Sequence, residues 1–147
     1  MKSEWTEVAA EWRGGLAFTG RNATGGSVQM GDVEGKPGIW PMEMLLLGLA
    51  GCTGVDVANI LRKKRQRLED LRVEVRAKRA DDHPKVYTEI EITYLLSGEG
   101  LNDTAVEQAI ELSERKYCSA SIMLGRTAKI SSSYRLISGG NAPSGEH

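Results

Sequence analysis

Leu71, Val73, Val75 and Ala77 alternate with Arg72, Glu74, Arg76 and Lys78. A period of two makes a strand with one apolar face and one wet face. Val86 to Leu96 repeats the pattern, with Val86, Ile90, Ile92 and Tyr94 on one side. Asp81-Asp82-His83-Pro84 lies between them and reads as a turn, so an antiparallel hairpin is expected. Lys129 to Ile137 alternates again and should be a last strand. Near the start, shorter strands are expected over Glu4–Trp12, Leu16–Thr19 and Ser27–Met30. Arg13-Gly14-Gly15 and the run from Arg21 to Gly26 divide them.

Helical spacing takes over from Pro41. A long helix is expected from there to about Arg67. Proline suits its first position, and Glu43 in the first turn meets the positive end of the helix dipole. Arg62, Lys63, Lys64, Arg65 and Arg67 meet the negative end. The middle is apolar nearly all round, which predicts burial on several sides. Gly48, Gly51 and Gly54 each cost roughly 1 kcal/mol against alanine in an exposed helix. Such glycines make sense where another backbone packs close, and a second copy of the same helix is one candidate. Asn102 or Asp103 can cap a further helix reaching about Lys116, with Ala105, Val106, Ala109, Ile110 and Ser113 at core spacing. A short helix is expected from Ser119 to Gly125. Strands and helices do not alternate as a doubly wound sheet requires, so the fold class is α+β. Residues 1–137 form one expected domain, and the Gly, Ser and Pro-containing tail, Ser138 to His147, is expected to be disordered.

Composition narrows the function classes. A chain of 147 residues suits one core. Its net charge of −1 gives no global attraction to nucleic acid or anionic membrane. The uncharged run in the long helix stops at Asp56, short of the 18 or so residues expected of a spanning segment. The N-terminal residues carry acids and no long apolar run, so no secretory signal is expected. Two cysteines without a signal point to a reducing cytoplasm, where a pair is more often catalytic, redox-sensing or inert than structural.

Two thiols are the candidates for chemistry. Cys52 lies mid-helix, where a cysteine often serves as a small hydrophobe and lacks the amides of a helix N-terminus. Cys118 sits between two helices, where N-terminal amides and the nearby Arg115 and Lys116 would favour a thiolate. A cysteine packed in a helix corner fits the same position. RKKRQR, from Arg62 to Arg67, reads as a solvated helix end. His83 belongs to a turn and His147 to the tail. Two Cys and two His show no zinc spacing, and the glycines match no phosphate loop, so neither metal nor cofactor is expected.

PMEMLLLGLAGCTGVDVANILRKKRQ, together with SERKYCSASIML, resembles the OsmC/Ohr family of thiol proteins. The likeness runs from about Leu16 to Leu136, with the same order of elements. It implies an OsmC-like fold: antiparallel sheets around a long central helix, in an intertwined homodimer with sites at the subunit interface. It implies that Cys52 and Cys118 come together. In the family's peroxidases the first cysteine attacks an organic hydroperoxide and becomes a sulfenic acid, and the second condenses with it to a disulfide. A small dithiol of the lipoyl type then restores both. On this resemblance Cys52 is the attacking candidate, Cys118 the resolving one and Glu43 a supporting carboxylate. The function implied is thiol-dependent reduction in oxidative stress defence. Redox sensing or small-molecule binding is the alternative.

Three positions depart from the family's pattern. The arginine that one branch holds twenty places before the first cysteine is Asp32 here. In the other branch the arginine comes from an early strand turn, which could correspond to Arg13 or Arg21. The glutamate ten places before the cysteine is Met42, with Glu43 one place, or 100° of helix, further on. The second motif continues Cys118-Ser119 instead of Cys-Pro. The cysteine pair is kept while its electrostatic support is not, so the redox function is expected more firmly than the hydroperoxide substrate.

Overall fold

The computed structural model describes residues 4–137. The expectation for the tail lies outside them. The chain forms two compact units that divide between Leu45 and Leu46.

The N-terminal unit is a three-stranded antiparallel meander of β1 (Val8–Trp12), β2 (Phe18–Asn22) and β3 (Ser27–Met30). The first two strands are displaced from their expected bounds. Glu4 to Glu7 lie outside β1, and β2 runs on to Asn22, opposite Val8. The turn after β2 is closed by Asn22, whose Oδ1 accepts from the amides of Thr24 and Gly26 at 3.1 and 2.7 Å. This is local side-chain bonding that favours Asn in turns. After β3, Gly31 takes φ +77°, and a Cβ there would lie 2.9 Å from the carbonyl oxygen of Leu16. Only glycine fits that crossing.

A long helix, α1 (Pro41–Lys63), begins in the first unit and continues through the second. Its start follows the sequence reading. Pro41 opens it, and Glu43 Oε1 accepts from the Trp40 amide at 2.8 Å, the returning half of a capping box. Its end comes earlier than Arg67. Arg65 turns left-handed at φ +60°, its amide bonding Arg62 O and the Gln66 amide bonding Leu61 O. That pair of bonds is a Schellman stop, built here without glycine.

Within one chain, α1 is not buried on several sides. Leu49, Thr53, Val57 and Leu61 form one buried stripe at i, i+4 spacing. Each of the three aliphatic members contributes about 1.5–3 kcal/mol. Leu45, Leu47 and Val55 are exposed, Val55 to 70%. A Cβ on Gly48 or Gly51 would meet nothing within 4 Å. α1 is long and apolar enough to cross a bilayer by length and composition. Its buried stripe and the engagement of Asp56 with Ser113 are those of a core helix.

The second unit holds a sheet in the order β4 (Asp70–Arg79), β5 (Tyr87–Ser97), β6 (Lys129–Ile137). The hairpin of β4 and β5 is antiparallel as expected, with Val73 opposite Tyr94 and Val75 opposite Ile92. One inward position differs. Val86 is exposed and Tyr87 is buried in its place. Arg79 pairs with Tyr87 while Lys78 pairs with Glu89, so Thr88 is an extra residue that reverses the alternation. β6 runs parallel to β5, a pairing that alternation alone cannot reveal. Parallel neighbours need a long crossover. Here it contains α2 (Asp103–Leu112) and α3 (Ser119–Leu124).

Asn102 caps α2 through a bond to the Ala105 amide at 3.1 Å. Ala105, Val106, Ala109, Ile110 and Ser113 are all buried, as their spacing predicts. The regular helix stops at Leu112, and Ser113–Tyr117 forms a wider π turn closed by the Cys118 amide on Ser113 O at 2.7 Å. π turns of this kind occur often at functional sites.

Candidate functional site

The second unit assembles its polar groups around the buried stripe of α1. Cys52 and Asp56 are one helical turn apart, so both project from the same face. Cys118 follows the π turn and is the N-cap of α3. The ligand atoms of Cys52, Asp56 and Cys118 all lie within 4.8 Å of one another. Cys118 is fully buried, and Cys52 and Asp56 are half-buried. The two thiols therefore meet, as the resemblance implies.

Each of these groups is held. Ser113 Oγ donates to Asp56 Oδ2 at 3.0 Å. The Ser121 amide donates to Cys118 Sγ at 3.3 Å, so the sulfur caps its own helix. Burial pushes the Cys118 thiol above its ordinary pKa. The Ser121 hydroxyl and amide oppose that rise, and neighbouring Cys52 adds to it. The helix amides are present as expected, but the expected cations are not at the thiol. Arg115 faces Glu111 at 3.6 Å, and Lys116 lies over the Tyr117 ring at 5.3 Å. Desolvation outweighs the cap, so Cys118 is held as a thiol.

Behind the thiols lies a second group of polar side chains. Tyr94 is fully buried and donates its hydroxyl to Glu114 Oε2 at 2.5 Å. Ser132 Oγ donates to the other carboxylate oxygen at 3.0 Å. Burial and the Glu114 carboxylate together raise the Tyr94 pKa, so the phenol stays protonated. Thr53 lies beside the same hydroxyl and bonds the Leu49 carbonyl at 3.1 Å. The π turn serves both groups, because it sends Ser113 toward Asp56 and Glu114 toward Tyr94.

The other sequence candidates lie in the N-terminal unit and have local partners. Glu43 caps α1 at Trp40. Asp32 accepts from the Gly38 amide at 3.2 Å. Arg13 donates to Thr19 at 2.8 Å, and Arg21 pairs with Glu11 at 2.6 Å. In the basic run at the end of α1, Arg62 bonds Asn59, Lys64 bonds Gln108 and Arg67 bonds Glu99.

Sequence reasoning passes over Asp56, Tyr94 and Glu114. Asp56 carries a usable signal, since it is the charge that ends the apolar run and stands at i+4 from Cys52. Tyr94 and Glu114 look like an ordinary strand residue and an ordinary helix charge. Only the crossover puts them together.

Two small sheets with a long apolar helix are the architecture of OsmC/Ohr-fold proteins. The chain belongs to the family described as OsmC-like protein, whose model matches residues 33–133. It is similar to Protein YhfA of Escherichia coli K12, at 35% identity over 131 residues, covering 89% of this chain and 98% of YhfA. A hypothetical protein from Aquifex aeolicus shares 36% identity and the fold, with a TM-score of 0.82 over 92% of this chain and 98% of that one. The organic hydroperoxide resistance protein OhrB of Bacillus subtilis shares the fold at 16% identity, with a TM-score of 0.61 over 89% of this chain and 98% of that one.

Proposed function

We propose that this chain is a thiol-dependent redox protein that reduces organic hydroperoxides through Cys52 and Cys118. The observation that carries the reading is the meeting of the two sulfurs within 4.8 Å in one partly enclosed cluster. The hydroperoxide-resistance name of a protein with this fold supports the choice of oxidant.

Cys52 is the more accessible sulfur and takes the attacking role. Its thiolate attacks the terminal peroxide oxygen: the S–O bond forms, the O–O bond breaks, and the alkoxide leaves and takes up a proton as the alcohol, giving the Cys52 sulfenic acid. The buried Cys118 thiol then attacks that sulfur, forming the disulfide and releasing water. Closure brings sulfurs now within 4.8 Å to the ~2.05 Å of a disulfide. A small dithiol of the lipoyl type reduces the bond and is itself oxidised. Asp56 places a carboxylate oxygen within 4.8 Å of the Cys52 sulfur. Glu43 is the supporting carboxylate that the family likeness offers, and substitution tests that role apart from its cap on Trp40.

The working form is a homodimer. The exposed Leu47 and Val55, with the open faces of Gly48 and Gly51, suit a second α1. Hydroperoxide consumption in the presence of a dithiol tests the function. Wild type should turn over and Cys52→Ser should not. Equal rates would sink the reading.

A further inference from the structure

The cluster has a feature that thiol redox chemistry does not require. Cys52, Asp56 and Cys118 can each bear negative charge, and they meet within 4.8 Å. Among the described residues, the two cations next to Cys118 in sequence are engaged elsewhere, Arg115 with Glu111 and Lys116 over the Tyr117 ring. Two sulfurs and a carboxylate oxygen this close form a donor set that one cation can join. The geometry points to a site for a soft divalent cation, Zn²⁺ by chemistry, ligated by Cys52 Sγ, Cys118 Sγ and one Asp56 oxygen in the reduced protein.

The donor set selects the metal. Two thiolates with one carboxylate favour zinc over calcium or magnesium, which take oxygen ligands. Zn–S bonds of about 2.3 Å set tetrahedral sulfurs about 3.8 Å apart, so the present spacing closes on an ion with a shift of about 1 Å or less. Cys52 and Asp56 stand at i and i+4 on one helix, the spacing by which a helix commonly presents two metal ligands. Cys118 supplies the third from another element.

The supporting contacts are in place before any ion arrives. Ser113 holds the Asp56 carboxylate, and the Ser121 amide donates to the Cys118 sulfur. Such outer contacts fix ligands for a metal. Ser121 itself is buried, 6% exposed, and its hydroxyl has no hydrogen-bond partner among the described residues. Counting Cys and His along the sequence finds no zinc set, because the third ligand is an aspartate and the cysteines meet only in the fold.

Binding replaces two thiol protons with one Zn²⁺ and leaves a fourth position for water or an external thiol. The disulfide consumes both sulfur ligands, so metal and disulfide exclude each other. Zinc therefore marks the reduced state and shields the pair from oxidant.

Titration of the reduced, chelator-treated full chain with Co²⁺, then Zn²⁺, tests the site. One Co²⁺ per chain should bind with a thiolate-to-cobalt charge-transfer band that Zn²⁺ abolishes. Cys52→Ser, Cys118→Ser and the disulfide form should lack the band. Asp56→Asn should weaken binding by ~10-fold or more, with an unchanged circular dichroism spectrum. Should that variant not fold, Ser113→Ala should weaken binding by a similar ~10-fold. Absence of the band in wild type, or equal affinity in the folded Asp56 or Ser113 variant, overturns the inference. Disulfide formation under hydroperoxide is read separately by mass, so failure of the metal site and failure of the redox function are distinguishable.

Discussion

Tyr94 donates its phenolic hydrogen to Glu114 at 2.5 Å, from a fully buried site beside the cysteine pair. The bond ties the central strand β5 to the π turn that presents Cys118. Replacing Tyr94 with Phe leaves the part-buried Glu114 carboxylate with Ser132 alone. A loss of about 1–3 kcal/mol is expected, read as a lower denaturation midpoint. No change would mean that the bond is dispensable.

The same phenol gives the fold a pH limit. Its pKa is raised in the folded chain above the ordinary tyrosine value near 10. A group raised on folding stabilises fully below its unfolded pKa, and that contribution is lost as pH climbs toward the folded value. Stability should therefore fall above about pH 10, by up to about 1.4 kcal/mol per pH unit from this group. Denaturant melts of wild type and Tyr94→Phe should show a shallower alkaline slope in the variant.

Glu43 separates a cap from a catalytic role. Glu43→Ala removes the bond to the Trp40 amide and should cost about 1 kcal/mol. If the carboxylate also supports the thiols, hydroperoxide turnover falls while Glu43→Gln retains the fold. Turnover equal to wild type in both variants would restrict Glu43 to capping.

The proposed homodimer rests on the exposed side of α1. Val55 is 70% exposed in the single chain, so a charge there costs the protomer little. In a homodimer built on α1 the same charge is buried. Light scattering should give twice the 16.0 kDa chain mass for wild type and about one chain mass for Val55→Asp. A wild-type monomer would refute the dimer.

Much of this fold was legible in the sequence where a single element's period decides the outcome. The hairpin, the final strand and the core face of α2 follow directly from alternation or 3.6-residue spacing. The misplacements sit where a local geometry interrupts the period. The extra residue Thr88 exchanges Val86 for Tyr87, Arg65 ends α1 without the usual glycine, and the π turn interrupts α2 after Leu112. The site was half legible. Its cysteines stand out by type, and the family likeness pairs them. Arg115 and Lys116 look close to Cys118 in sequence, yet their side chains go elsewhere. Asp56 stands one helical turn from Cys52, whereas Tyr94 and Glu114 meet only because the crossover to β6 brings the π turn back against β5.

The most direct test of the central claim follows the two sulfurs themselves. The reduced full chain is treated with one equivalent of an organic hydroperoxide, then measured by intact mass and peptide mapping. The expected result is loss of two hydrogens and a cross-linked peptide joining Cys52 to Cys118, with Cys118→Ser arrested at the Cys52 sulfenic acid. Two free thiols with the hydroperoxide unconsumed would contradict the assignment.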